Sequence, residues 1–204
     1  MIGVVNYGAG NVHAILNQYD LLNIEHMIIS NETDFKKVDK IILPGVGSFD
    51  YCKKKLYESN LIDELNSHVI VKQKPTLGIC VGMQLLADSS DEGVENGLSW
   101  IPGKVKKFNL DWFKNKPKLP HMGWNKISVI DNNSIFKGIS EKIGFYFVHS
   151  YYFEAKNKDN VISQTNYGIN FHSAVQNNNI FGVQFHPEKS HSNGSILLRN
   201  FAQL

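Results

Sequence analysis

The sequence is poor in cysteine, with only Cys52 and Cys80 in 204 residues. Two cysteines cannot build the disulfide framework that stabilises many small secreted proteins. The chain also lacks an apolar run near the ~20 residues that span a bilayer. No basic segment precedes the apolar stretch near the N-terminus, as it would in a signal peptide. These absences predict a cytoplasmic protein that does not work in a membrane.

The sequence also lacks a strong excess of charge of either sign. Lys and Arg number 21 against 19 Asp and Glu, so the formal net charge is +2. This small net charge argues against nucleic acid or an anionic membrane as the main partner. No repeat, low-complexity linker or change of composition divides the chain. Because 204 residues suit one sizeable core, we expect a single domain over residues 1–204.

The apolar segments differ between the two halves of the chain. The first half has short β-rich runs at 2–7, 26–30, 40–45 and 75–80. Helical patterns separate them, including one predicted over 49–71, and such alternation favours a parallel sheet covered on both faces. The second half has β-rich runs split by turn residues, then a closing helix at 195–204. The predicted fold is α/β: one open, mostly parallel sheet with helices on both faces and an antiparallel, β-rich second half.

The segment LGICVGMQLL, residues 77–86, has one glycine two positions before Cys80 and another two positions after it. Gly-x-Cys-x-Gly between a strand and a helix matches a nucleophile elbow, a sharp turn that lifts a reactive side chain above the sheet edge. The helix N-terminus would favour the thiolate, and the Val81 N–H could stabilise an oxyanion. The alternative is a buried structural cysteine, which is our interpretation of Cys52 because it has no flanking glycines.

A thiol nucleophile needs a base, and His186 in the segment FGVQFHPEKSH is the best candidate. It ends an apolar strand, and Pro187 favours extended backbone before it. In an extended chain Glu188 would point to the same side and could orient the imidazole. One alternative is a surface His-Pro turn. Another is a metal site with His191, but the chain lacks a second ligand cluster, so we expect no metal.

The loop LPGVGSFD, residues 43–50, follows the third predicted strand. In open α/β sheets, ligands bind at the carboxyl ends of strands. Gly45 and Gly47 would allow close backbone approach, and Gly47 could present a second oxyanion N–H; an ordinary turn is the alternative. The loop lacks the Gly-Lys-Ser/Thr ending of a phosphate-binding loop. NYGAGN (6–11) is too short for a dinucleotide fingerprint, so we expect no cofactor.

Five motifs occur in a characteristic order: PGVG, LGICVGMQLL, HMGWN, YFVHSYY and GVQFHPEKS. With them the chain resembles the class I glutamine amidotransferases over nearly its whole length. PHMGWN makes it most similar to the glutaminase subunits of imidazole glycerol phosphate synthase, in histidine biosynthesis. The resemblance implies that Cys80 is the nucleophile, His186 the base and Glu188 the orienting carboxylate.

The resemblance further implies a glutamine-binding set, in which an acidic side chain would suit the substrate ammonium and a hydroxyl its carboxylate. The set is Gly45, Gly47, Gln84, Glu92, His149, Ser150 and Tyr151. Glu92 fits the first task and Ser150 the second. The alternatives are a solvated loop acid for Glu92 and an ordinary strand hydroxyl for Ser150.

Ammonia released from glutamine needs an acceptor, and 204 residues leave no room for a synthase domain. LPHMGWN (119–125) is a candidate docking segment, because large apolar groups beside a glycine turn are typical of interface hot spots. The resemblance implies contact with a (β/α)₈ cyclase subunit in a heterodimer, through Asn11, Met122, Trp124, Tyr146 and Lys189. The alternative for Trp124 is a place in the core.

Other functions remain open from the sequence. The family usually has Asp at the position of Asn6, and often Ser at that of Ala14. Such departures would suit a paralogue that supplies ammonia to an enzyme amidinating a surface-polysaccharide sugar. A stand-alone cysteine-dependent hydrolase, such as a γ-glutamyl peptidase, and a catalytically silent binding module are further alternatives. The complete Cys-His-Glu set argues against the binding module.

Overall fold

The computed structural model describes residues 1–109, 111, 118–130 and 133–204. The strands are β1 (Ile2–Val5), β2 (His26–Ile29), β3 (Lys40–Gly45), β4 (Thr76–Cys80), β5 (Ser89–Ser90), β6 (Gly103–Lys107), β7 (His121–Asn125), β8 (Ser128–Val129), β9 (Phe145–His149), β10 (Tyr151–Ala155), β11 (Val161–Tyr167), β12 (Ile169–Asn177) and β13 (Ile180–Val183). The α-helices are α1 (Val12–Leu21), α2 (Phe49–Glu58), α3 (Ile62–Asn66), α4 (Val81–Gln84) and α5 (His191–Ala202).

An eleven-stranded sheet organises the described residues, with the order β2-β1-β3-β4-β13-β12-β10-β6-β5. The strands from β2 to β13 in this order pair in parallel. From β13 onward, β12, β10 and β6 pair antiparallel, and β11 and β8 extend the sheet beside β12. The predicted α/β fold, with a parallel first half and an antiparallel second half, is confirmed.

Burial explains why the two halves differ in sequence. Every residue of β1, β4 and β13 is buried, as expected for parallel strands covered on both faces. In β9, by contrast, buried and half-buried residues alternate, which is typical of an antiparallel strand with one face toward the core. α1 packs against α5, and α2 packs against α4.

The prediction of one continuous helix over 49–71 is wrong, because this segment forms two α-helices and a π-helical turn. α2 ends at Glu58, Asn60 adopts a φ of +59°, and a π-helical turn, Ser67–Val71, follows α3. The Ser59 hydroxyl donates to the Leu56 carbonyl and accepts the Leu61 N–H. These local bonds compete with helical ones and end the helix.

The helix after Cys80 is also shorter than its sequence suggests. α4 has four residues, because the backbone N–H groups of residues 98–101 donate to the carbonyls of residues 85–87. A second difference is a separate two-stranded antiparallel sheet, formed by β7 and β9. Within the described part of the chain, no helix has the length and apolar character to cross a membrane.

The sheet register places the candidate site residues side by side. Gly45, the last residue of β3, pairs with Cys80, the last residue of β4. On the other side of β4, Ile79 pairs with Val183, the last residue of β13. His186 lies three residues beyond Val183, so the PGVG loop, the elbow and the HPE segment meet at the carboxyl end of the parallel strands.

Candidate active site

Cys80 lies in the sharp turn predicted from its flanking glycines. It joins β4 to α4 with φ 55° and ψ −113°, a strained backbone for a residue with a Cβ. Cys80 is 5% exposed and lines a cavity at this edge of the sheet. Val81 is the first residue of α4, so its N–H belongs to the unpaired donors of a helix start.

The two flanking glycines are required by space. A Cβ on Gly78 would lie 2.6 Å from the Gly82 carbonyl oxygen, and one on Gly82 would overlap the Leu43 carbonyl oxygen. Gly45 is equally confined, since a Cβ there would lie 2.8 Å from the Val81 carbonyl carbon. These glycines allow β3, β4 and α4 to approach closely enough to form the turn.

His186 and Glu188 form a buried pair. The distance from His186 Nδ1 to Glu188 Oε1 is 2.8 Å. His186 itself has the extended backbone predicted before Pro187, with φ −100° and ψ 97°. The extended path to Glu188 is wrong, because Pro187–Lys189 form a 3₁₀ turn in which the Lys189 N–H donates to the His186 carbonyl. The turn still brings the carboxylate to the ring. The Ser190 hydroxyl also donates to the His186 carbonyl, at 2.6 Å, and fixes this segment.

The charge state of His186 is controlled by its two neighbours. Burial lowers its pKa, but interactions with Cys80 and Glu188 outweigh burial and raise the pKa above its ordinary value. Nδ1 is occupied by Glu188, so Nε2 is the nitrogen that remains for Cys80. Among the described residues Nε2 has no hydrogen-bond partner of good geometry. The arrangement places a histidine that can carry a proton beside the Cys80 thiol.

A cavity of about 330 Å³ opens beside Cys80. Its lining includes all but one of the residues that the resemblance assigns to glutamine: Gly47, Gln84, Glu92, His149, Ser150 and Tyr151. Gly45 does not line the cavity, because it packs against the backbone of Val81 and Gly82. The sequence did not single out four further lining residues, Val46, Pro120, Val148 and Lys189, for this cavity.

Glu92 is fixed by α2 and is not a freely solvated loop acid. Its Oε2 accepts the N–H of Phe49, the first residue of α2, at 2.8 Å. Asp50 accepts the N–H groups of Val94 and Glu95 and so fixes the same loop. Burial raises the pKa of Glu92 more than the Phe49 N–H lowers it.

Gln184 belongs to this site, although sequence reasoning missed it. Its Oε1 accepts the Gln84 amide at 3.0 Å, and its Nε2 lies 3.8 Å from the Cys80 sulfur. Gln84 also donates to the Tyr151 carbonyl, at 3.2 Å. The available signal was spacing, since Gln184 precedes His186 by two residues in an apolar segment that ends at the sheet edge.

The candidate docking segment is exposed on β7. Met122 is 62% exposed and Trp124 is 45% exposed, so the core alternative for Trp124 is wrong. The Trp124 ring stacks on the His191 ring, with ring centres 5.1 Å apart. No group of side chains suited to a metal ion occurs in the part of the chain that the structure describes.

Two other predicted interface residues, Tyr146 and Lys189, lie near Trp124. Tyr146 is 6.5 Å from the Trp124 ring, and the Lys189 ammonium is 5.8 Å from the centre of the Tyr146 ring. Asn11 and Lys189 line a second cavity, of about 390 Å³, which also includes Val46 and His186. Val46 and His186 therefore lie between the two cavities.

The family profile described as "Glutamine amidotransferase class-I" matches residues 3–204. The chain belongs to the class I glutamine amidotransferases. Solved structures of low sequence identity support the fold of this amidotransferase. One described as a glutamine amidotransferase gives a TM-score of 0.73 at 18% identity, covering 100% of this chain and 99% of that chain.

More similar relatives of this class I glutamine amidotransferase carry a more specific name. "Imidazole glycerol phosphate synthase subunit HisH" of Leptospira interrogans is 50% identical over 204 residues, which is 100% of both chains. The protein of that name from Leptospira borgpetersenii is 49% identical over the same length and coverage. "Subunit HisH 2" of Pseudomonas aeruginosa is 42% identical, again over 100% of both chains. The resemblance stated from the motifs is therefore confirmed.

Proposed function

We propose that this amidotransferase is the glutaminase subunit of an imidazole glycerol phosphate synthase. It hydrolyses glutamine to glutamate and ammonia. The ammonia passes to a (β/α)₈ cyclase subunit that makes imidazole glycerol phosphate and AICAR in histidine biosynthesis. The observation that carries the proposal is the strained Cys80 beside the His186–Glu188 pair, at the floor of a cavity of suitable size.

The mechanism follows from the positions of three side chains. Cys80 attacks the side-chain amide carbon of glutamine as a thiolate. The Val81 N–H, with Gly47 as a second donor, stabilises the oxyanion, and each donor is worth about 10²–10³ in rate. His186 gives its proton to the departing ammonia, and water then hydrolyses the glutamyl thioester to release glutamate. Glu188 holds the imidazole in the tautomer that directs Nε2 at the sulfur.

The cavity accounts for the choice of substrate. A free amino acid carries an ammonium, which Glu92 can bind, and a carboxylate, which Ser150 can bind. The Gln84 amide is held by Gln184 and the Tyr151 carbonyl. These two hydrogen bonds fix the orientation of the Gln84 amide in the cavity lining before glutamine binds.

The partner is proposed from the exposed β7 face and from the word "subunit" in the names of the relatives. Met122 and Trp124 offer a large apolar area to another protein, and Tyr146, Lys189 and Asn11 lie beside it or line the adjoining cavity. Because the second cavity shares His186 and Val46 with the first, ammonia formed at Cys80 would be released next to Asn11 and Lys189 of the predicted interface.

The test is glutamate and imidazole glycerol phosphate production by the chain with its cyclase. Cys80→Ala is expected to abolish glutamine-dependent synthesis, while added ammonia still supports it. Cys52→Ala is the matched control, because Cys52 is buried and lies outside the cavity lining; it should retain glutamine turnover. Glutamine hydrolysis by the Cys80→Ala chain would overturn the proposal. Hydrolysis of γ-glutamyl peptides without any partner would favour the stand-alone hydrolase instead.

A further inference from the structure

A chain of hydrogen bonds connects β7 to the candidate glutamine cavity. His121 Nδ1 lies 2.9 Å from His149 Nε2, and His149 Nδ1 lies 2.8 Å from the Tyr151 carbonyl oxygen. At the other end, Asn125 Nδ2 lies 3.2 Å from His121 Nε2. Both imidazoles are buried. We call Asn125, His121, His149 and the Tyr151 carbonyl the histidine relay.

The donor and acceptor of each bond in the histidine relay follow from its two ends. A carbonyl only accepts, so His149 Nδ1 carries the proton and its Nε2 accepts from His121 Nδ1. His121 Nε2 must then accept from the Asn125 amide. That amide is fixed as a donor, because its Oδ1 accepts the Lys126 N–H and its Nδ2 also donates to the Asn166 carbonyl.

The electrostatics agree with two neutral rings. Burial lowers the pKa of His121 to about 4. Burial, with a further contribution from His121, lowers the pKa of His149 to about 3. A neutral imidazole has one donor and one acceptor, which is what each position in the histidine relay requires.

The Tyr151 carbonyl, at one end of the histidine relay, is connected to the candidate nucleophile through two glutamines. The Tyr151 carbonyl accepts from Gln84 as well as from His149. Gln84 in turn holds Gln184, whose amide lies 3.8 Å from the Cys80 sulfur. His121 does not line the cavity, so any effect it has on substrate passes through His149 and Tyr151.

Ring packing holds His121 in place. It stacks on Phe147, at 4.8 Å, and on Tyr167, at 4.0 Å. Along β7 the side chains alternate: His121 points into the protein, whereas Met122 and Trp124 are exposed. One strand thus carries both the exposed docking face and the buried start of the histidine relay.

We propose that His121 is a positioning residue for the reaction, which sets the tautomer of His149 and the orientation of the Tyr151 carbonyl and so preorganises the glutamine cavity. This inference rests on the proposed function, because it assigns glutamine to that cavity. Removing the His121 donor would leave His149 Nε2 buried without a partner, and the segment carrying His149, Ser150 and Tyr151 would lose its fixed position.

The first experiment separates binding from chemistry with matched variants. His121→Phe keeps the ring stacking and removes both bonds, so KM for glutamine should rise about tenfold with little change in kcat. His121→Asn places an amide donor near the position of Nδ1 and should restore most of the lost affinity. His172→Phe is the control, since the His172 ring accepts the Ala155 N–H and does not line the cavity; its KM should stay unchanged. A wild-type KM in His121→Phe would overturn the proposal.

The second experiment does not depend on a variant that folds or on activity. Long-range ¹H–¹⁵N spectra of the unaltered chain at pH 7 report the tautomer of each imidazole. The proposal predicts that His121 and His149 are both neutral with the proton on Nδ1. A proton on Nε2 of either ring, or a charged ring, would overturn it. If the wild-type chain with its cyclase does not hydrolyse glutamine, the proposed function fails, whereas these spectra still decide the histidine relay.

Discussion

Buried histidines in this protein have opposite charge preferences, and their immediate partners explain the difference. His186 has a carboxylate on one side and a thiol on the other, and these raise its pKa. Burial lowers the pKa of His121, and burial with a smaller contribution from the neighbouring His121 lowers the pKa of His149. The first arrangement suits proton transfer, and the second suits a fixed hydrogen-bond geometry.

His68 shows what burial does without a partner. It is 1% exposed, and neither ring nitrogen has a hydrogen bond among the described residues. Burial, with smaller contributions from Lys72 and Lys74, lowers its pKa from 6.5 to about 4. The unfolded chain therefore binds a proton at His68 more readily than the folded chain does. The contribution of neutral, buried His68 to the free energy of unfolding is fully present above about pH 6.5 and is lost as the pH falls toward 4.

We therefore predict that His68→Phe reduces acid sensitivity. Urea unfolding at pH 7 and at pH 4 should show a loss of free energy smaller than in the wild type by on the order of 2 kcal/mol. Phe fits the site, because His68 already packs against Phe35 with ring centres 5.9 Å apart. The exposed His13→Gln serves as control and should lose as much stability as the wild type. If His68→Phe lost as much free energy of unfolding between pH 7 and pH 4 as the wild type, this explanation would be contradicted.

At the scale of elements, the elbow depends on close contact between α4 and β3. Gly82 sits directly on the Leu43 carbonyl, so even one methyl group requires the two elements to separate. Gly82→Ala should destabilise the protein by at least about 2 kcal/mol and lower glutaminase activity, because Cys80 and the Val81 N–H move with α4.

A second glycine gives the comparison for this prediction. At Gly138 a Cβ would meet nothing within 4 Å, but φ is +77°. Gly138→Ala should therefore cost only about 1 kcal/mol of backbone strain and leave activity intact. Thermal unfolding and glutamate release measure both variants. If Gly82→Ala proved as stable and active as Gly138→Ala, close packing at the elbow would not matter.

Elements with a strong local signal could be predicted from the sequence. The apolar runs of β1, β3 and β4 and the glycines around Cys80 led directly to the parallel sheet and the elbow. Elements defined by distant contacts could not. The short α4 ends because residues 98–101 take its following carbonyls, and nothing near Gln84 in the sequence shows this.

The candidate site divides in the same way. Cys80, His186 and Glu188 lie in motifs with their own spacing, and the structure brings them together. Gln184 and His121 act through residues 100 and 28 positions away, respectively. Such contacts follow only from the sheet register and from the pairing of β7 with β9.

At the scale of the whole molecule, the candidate glutamine cavity and the second cavity share His186, Val46 and Lys189. The second cavity is also lined by Asn11, another residue of the predicted interface. Docking could therefore change the cavity, and the PGVG loop is the segment between them. Gly47 has a φ of +119°, so a peptide flip beside it is sterically cheap and could turn an oxyanion donor in or out. With one donor turned away, the isolated chain should be slower than the complex by about 10²-fold or more.

Trp124→Ala tests this dependence on the partner. Loss of a central aromatic at an interface costs about 2 kcal/mol or more, so the cyclase concentration needed for half-maximal stimulation should rise at least about 30-fold. The low rate of the isolated chain should not change, because Trp124 does not line the cavity. Tyr57→Ala, another exposed aromatic but on α2, is the matched control and should be stimulated normally. Full stimulation of Trp124→Ala would place the partner elsewhere.

The central claim is that Cys80 is the nucleophile of a glutamine site, and covalent trapping tests it most directly. The complex with the cyclase is treated with a thiol-alkylating glutamine analogue, with and without excess glutamine, and the modified cysteine is located by mass spectrometry. We predict one equivalent on Cys80, none on Cys52, and protection by glutamine. Label on Cys52, or label on Cys80 that glutamine does not prevent, would contradict the account.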